Sequence, residues 1–183
     1  MKKLFTLALA FVAMALSATH ASAQGFQLPN MQVTSSAFED GGIIPIKYTS
    51  HGDNVQPDFT ITGAPENTVS FAIIFHDIEV AIGGNTDDVT HWVAFNIPSP
   101  TIAEGSLPEG SVQGNNIRGQ ASFMGSGAPF ADRYHHYVFE FYALSANLDL
   151  PQGASRADVM AAMQGKVVGK AAYVGRYANA QPQ

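Results

Sequence analysis

Two carboxylates and two imidazoles, Asp77, Glu79, His91 and His135, sit at the ends of apolar runs, with Tyr137 two residues beyond the last. Ahead of His135 lies Gly125-Ser126-Gly127, followed at one residue's remove by Pro129. A carboxylate accepts from one imidazole nitrogen and fixes the ring, so the other nitrogen is presented as a donor to an incoming anion. Two neighbouring carboxylates repel, and one of them needs a cation, a metal or a proton. The same residue types form a legitimate hard or borderline metal set. The glycines offer backbone N–H groups of the kind that make anion-binding nests. A small polar pocket for phosphate or a carboxylate suits this composition, with a metal centre as the competing reading.

The elements that must position these groups read as strands. Val69 to Phe75, Trp92 to Ile97 and Tyr137 to Tyr142 are short and rich in β-branched and aromatic residues, between turn signals such as Gly83-Gly84-Asn85 and Gly114-Asn115-Asn116. Ser155 as N-cap, Asp158 at the third helical position and Gly165 at the far end mark one short helix, and Val167 to Tyr177 reads as a final strand. The expectation is an all-β-dominated fold, an antiparallel β-sandwich with a short helix in the C-terminal region. Side chains two apart on a strand share a face, so Asp77 and Glu79 point the same way if the chain stays extended past Phe75. His76 then faces away from Asp77 as a structural residue, and His136 faces away from His135 towards the surface. Trp92 reads as core, Phe123 as core or pocket wall, and His51 has no evident partner in sequence.

Composition bounds the rest. Lys2 and Lys3, the apolar run from Leu4 to Leu16 and Ala21-Ser22-Ala23 read as a cleaved signal peptide over residues 1–23, leaving one domain over residues 24–183. The apolar run is too short to span a bilayer, which takes about 18 residues. Cleavage removes two of nine basic residues and none of fifteen acidic ones, so the mature charge is 7 − 15 = −8. A chain that acidic is a poor partner for nucleic acid or an anionic lipid surface. No amphipathic basic helix suggests stable membrane insertion. With no cysteine, disulfides, thiolate ligands and a Cys nucleophile are excluded. The expected location is the periplasm, or else the medium.

Several ordered blocks resemble the phosphatidylethanolamine-binding proteins, and most closely their bacterial Raf-kinase-inhibitor-like branch. Ser36-Ala37-Phe38, Gly42, Ile44-Pro45 and Tyr48-Thr49 resemble its opening, with Asn54 and Pro57 following. Phe75 to Ala81 stands where the family has D-P-D-A-P, and His91 to Pro98 is similar to H-W-V-x-x-N-I-P. Gly125-Ser126-Gly127-Ala128-Pro129 and His135-His136-Tyr137 resemble G-x-G-P-P and H-R-Y, and Gly153-Ala154-Ser155 and Val174 to Tyr177 also fit. The resemblance implies a β-sandwich carrying a pocket for a small anion or phosphorylated head group. Asp77, Glu79, His91, Pro129, His135 and Tyr137 take the family positions, and Gly125 and Gly127 fall in the glycine block. No cofactor and no catalysis are implied. Ile78, Glu79, Val80 and Ala81 depart from P-D-A-P, freeing a loop that prolines would restrict, while His136 and Ala128 replace Arg and Pro.

The leading expectation is therefore an exported binder of a small anion or phosphorylated head group. An inhibitor or interaction partner of another periplasmic protein is the alternative, as the family name suggests. A metal-dependent hydrolase stands third, since neither H-E-x-x-H nor G-x-S-x-G occurs.

Overall fold

Every residue of the strand Ser70–Asp77 is buried, which requires cover on both faces of the sheet that contains it. The computed structural model describes residues 30–128 and 133–179; the expected signal peptide and Pro129 lie outside them. The strands are β1 (Gln32–Thr34), β2 (Gly42–Ile43), β3 (Phe59–Thr62), β4 (Ser70–Asp77), β5 (Val89–Ile97), β6 (Thr101–Ile102), β7 (Val112–Gly114), β8 (His135–Leu144) and β9 (Val167–Tyr177). One helix, α1 (Arg156–Ala162), precedes β9.

The strands form a small sheet, β1-β3-β6, and a larger one, β2-β9-β8-β4-β5-β7. Between the sheets lies an aromatic core in which Phe59 packs against Phe139 and Phe141 with ring centroids 5.0 Å apart in each case. The far face of the larger sheet carries a second apolar cluster, where Ile74, Val93 and Phe95 are gathered with Val159 of α1. The expected all-β-dominated sandwich is present, with two refinements. β2 runs parallel to β9, so the larger sheet is not wholly antiparallel, and α1 adds a cover outside the two sheets.

Local chemistry explains the helix. Ser155 Oγ accepts from the Asp158 amide at 3.1 Å while the Asp158 carboxylate accepts from the Ser155 amide at 3.1 Å, a reciprocal cap of the expected kind. Val159 is fully buried, worth about 2 kcal/mol relative to exposure. Gly165 stops the segment with φ +75°, which a residue with a Cβ rarely adopts. Among the described residues no helix is long and apolar enough to cross a membrane.

One irregularity in the larger sheet decides where chemistry goes. Phe75 pairs with Trp92, but its neighbour His76 pairs with Thr90, so His91 is an extra residue in β5. Such a bulge re-aims a side chain that strict alternation would send to the other face. His91 thus joins Trp92 on the side of the aromatic core, its ring 5.2 Å from Phe75 and 5.3 Å from Tyr137.

Candidate functional site

The C-terminal end of β4 and the N-terminal ends of β5 and β8 lie side by side, with Asp77 in register with both Val89 and Tyr137. Above them opens a cavity of about 310 Å³, lined by Asp77, His91, Gly125, Gly127, Ala128 and Tyr137, with His51 and Arg118 at its walls. Asp77, His91 and Tyr137 are almost completely buried, so their polar atoms have little access to bulk water.

Asp77 is held from two sides. One carboxylate oxygen accepts from His135 Nδ1 at 2.7 Å, and the other accepts from the Glu79 amide at 3.0 Å. His135 therefore sits behind Asp77 as its orienting partner and contributes nothing to the cavity lining. The bond to the Glu79 amide ends the strand in a turn, which corrects one expectation. The chain does not stay extended past Asp77, so Glu79 does not share its face. The Glu79 carboxylate turns to the His136 amide at 2.7 Å, His136 Nδ1 at 3.2 Å and Arg133 at 3.0 Å, and is absent from the lining. Partial burial opposes its charge, but the His136 hydrogen bonds and the Arg133 charge outweigh this and hold its carboxyl below the usual range.

His91 finds its partners in the glycine loop. Its Nδ1 donates to the carbonyls of Met124 at 3.0 Å and Gly125 at 3.1 Å, which fixes the tautomer. The other nitrogen, Nε2, is left for the cavity. Burial pushes the imidazole below 6.5, only partly opposed by those carbonyls and by the charge of Asp77, so the ring is neutral near pH 7 with Nε2 an acceptor. The expectation that a carboxylate would orient each imidazole is thus met at His135 and replaced at His91 by backbone carbonyls.

The glycines permit close approach. A Cβ on Gly125 would lie 2.7 Å from the Thr49 carbonyl carbon, and one on Gly127 would lie 2.7 Å from Ser50 Oγ. The loop is pressed onto residues 48–50, where Thr49 and Ser126 form a bridge. The Gly125 amide is already spent on Asn54 Oδ1 at 2.7 Å, so it is not a free donor as the nest reading expected. Tyr137 is different. Its hydroxyl is buried with no well-formed hydrogen bond, although the Asp77 carboxylate and the Gly127 and Ala128 amides lie around it. Burial raises the phenol far above its ordinary value, and the Asp77 charge adds to this, so it stays protonated as a donor.

A cation would meet one candidate set among the described residues, because ligand atoms of Asp77, Glu79 and His135 lie within 4.8 Å of one another. Its chemistry fits a metal poorly. Arg133 already places a positive charge on Glu79, and His135 already donates its proton to Asp77.

Other expectations fall into place. Trp92 is core, donating to Gln113 Oε1 at 2.8 Å, and Phe123 stacks on Phe75 outside the site. His136 is exposed, as expected of a surface residue. His76 faces the opposite side of the sheet and donates to Asp88 at 2.6 Å. Sequence reasoning missed Arg118, which no strand pattern could place, and His51, whose ring stacks on Tyr177 with centroids 6.1 Å apart.

A family model described as phosphatidylethanolamine-binding protein matches residues 34–178, and the chain belongs to that family. It is 39% identical over 154 residues to a UPF0098 protein of Methanothermobacter thermautotrophicus, covering 80% of this chain and 98% of the relative. A UPF0098 protein of Aquifex aeolicus is also 39% identical, with 80% and 88% covered. Among solved structures, the phosphatidylethanolamine-binding protein homolog CT736 of Chlamydia trachomatis superposes with a TM-score of 0.74 at 31% identity, covering 81% of this chain and 97% of that one. YbcL of E. coli, described as a member of the mammalian family, gives 0.74 at 29% identity, with 81% and 98% covered.

Proposed function

We propose that this protein is an exported, non-catalytic binder of a small oxyanion or phosphorylated head group, held in the cavity between Asp77, His91 and Tyr137. The observation that carries the reading is the Tyr137 hydroxyl, a buried donor at the cavity wall with no well-formed hydrogen bond, beside the Asp77 carboxylate and the Gly127 and Ala128 amides. Leaving such a group unsatisfied costs about 1–3 kcal/mol, and an incoming oxygen removes that cost. His91 supplies the second polar contact. Its Nε2 accepts when the ring is neutral and donates when it is charged, so a bound anion favours proton uptake there. Asp77 orients rather than binds, because an anion against a bare carboxylate is repelled; its charge is tied to His135. The family to which the chain belongs supports ligand binding as the general task. The signal pattern of residues 1–23 supports export to the periplasm.

Among the described lining residues, Ser50 Oγ donates to the Ser126 carbonyl and His91 Nδ1 is committed to the loop, which supports the non-catalytic reading. Calorimetric titration with inorganic phosphate tests the proposal. One site is expected in the native protein at pH 6, weakened at least about tenfold in Tyr137→Phe and more in His91→Ala. Absence of binding in the native protein, or equal binding in all three, overturns it.

A further inference from the structure

We propose that Arg118 sets the charge selectivity of this pocket, favouring a phosphate-type dianion over a carboxylate. The inference rests on the anion-binding reading above and adds a residue outside the family motifs. Its starting point is the charge carried by the cavity wall. Asp77 is negative, and its bond to His135 gives at most a neutral pair. His91 is held neutral near pH 7 by burial, and Tyr137 is an uncharged phenol. The deep part of the cavity thus offers hydrogen-bond donors without net positive charge. Among the described lining residues Arg118 carries a permanent one, and His51 is the other imidazole at the wall beside His91.

The fold presents that charge deliberately. Asn116, itself buried, accepts from the Arg118 amide at 2.9 Å and the Gln120 amide at 3.2 Å through Oδ1, and donates to the Ser122 carbonyl at 3.1 Å. These bonds close a tight turn whose tip, Ile117-Arg118, stands at the mouth. The Ile117 amide ties the turn to β5 through the Thr90 carbonyl at 2.8 Å, one residue from His91. Among the described residues no carboxylate pairs with the Arg118 guanidinium, whereas Arg133 and Arg156 each hold one. Its charge reaches the interior, where it is one of the influences lowering the proton affinity of His91.

A monoanion is balanced by Arg118 alone, but a dianion needs Arg118 together with a proton on His91. The attraction lost with the guanidinium scales with the ligand's charge, so its removal harms a dianion about twice as much in free energy as a carboxylate and leaves binding dependent on His91 protonation. The test is calorimetric titration of inorganic phosphate and acetate into the native protein, Arg118→Ala and Arg118→Lys, at pH 7.5 and 5.5. At pH 7.5, Arg118→Ala is expected to weaken phosphate at least about tenfold and acetate by less than about threefold. Arg118→Lys retains part of the difference, because the charge remains while the planar fork is lost. At pH 5.5 the phosphate defect of Arg118→Ala shrinks towards that of acetate, because phosphate itself becomes mainly a monoanion and His91 moves towards its protonated form. Unchanged phosphate affinity in Arg118→Ala, or equal losses for both anions, overturns the assignment while leaving the pocket reading intact. A native protein that binds neither anion overturns both.

Discussion

Asp77 and His76 are neighbours on β4, and each forms an Asp–His pair of nearly the same length, 2.7 Å to His135 and 2.6 Å to Asp88. Strand alternation sends them to opposite faces of the sheet, and their surroundings give the pairs different tasks. The Asp77–His135 pair stands under a cavity whose other walls, His91 and Tyr137, have unspent polar atoms. The His76–Asp88 pair is knitted into protein. Asp88 also takes Arg156 of α1, and the His76 Nε2 lies 4.0 Å from Glu140, which accepts from Lys170 at 2.9 Å and from Tyr142 at 2.7 Å. A larger cavity of about 470 Å³ lies beside this second network, lined by Asp88, Arg156, Ile82 and Met160. Size does not make it the better site for an anion, because Asp88 and Arg156 already pair with each other and Asp87 adds a further carboxylate to the lining. The pair types are alike, and each face leaves a buried polar atom without a well-formed hydrogen bond, His76 Nε2 and the Tyr137 hydroxyl; what distinguishes the site from the strut is that Tyr137 lines a cavity while His76 is absent from the lining of the neighbouring one.

That contrast breaks most sharply at Asp77. Replacing it by Ala leaves His135 buried without its partner, and the expected loss is about 3–5 kcal/mol of unfolding free energy together with phosphate affinity. Denaturant unfolding of Asp77→Ala checks the first and calorimetry the second. On the other face, Asp88→Ala is expected to cost about 1–3 kcal/mol while phosphate affinity stays within about twofold; a loss of affinity there would erase the distinction. Tyr137→Phe removes a buried hydroxyl that lacks a well-formed partner, so the ligand-free protein is expected to keep its stability or gain up to about 1–3 kcal/mol while phosphate binding weakens. Smallest is Glu79→Gln. Arg133 and His136 are both exposed, solvent screens their contacts with Glu79, and unfolding should shift by no more than about 0.5 kcal/mol with little change in binding.

Much of the frame was legible in the sequence. β4, β5, β8 and β9 carry long β-branched and aromatic runs, and the Ser155, Asp158 and Gly165 signals bracket α1. The separation of His76 from Asp77 follows from alternation alone. β1, β2 and β6 are two or three residues long, too short for any period to show. The site residues were readable as types and positions, but their directions were not. Glu79 swings out because Asp77 captures its amide, and His91 swings in because β5 is bulged against β4; both depend on partners distant or unpaired in sequence. Arg118 owes its place to hydrogen bonds that only the closed 116–122 turn makes.

The account's pH dependence turns on His91. Burial lowers its folded-state pKa below the 6.5 of an unperturbed ring, so the unfolded chain binds the proton more readily. The stability associated with His91 is therefore complete above about pH 6.5 and is lost as pH falls towards the depressed folded value. A bound anion reverses the preference, because it stabilises the imidazolium. The most direct test is an NMR titration of the His91 ring, without ligand and with saturating inorganic phosphate. The account predicts a midpoint below 6.5 in the free protein and a rise of at least about one pH unit with phosphate. A midpoint that does not move with phosphate, or a free ring that titrates above 6.5, contradicts it.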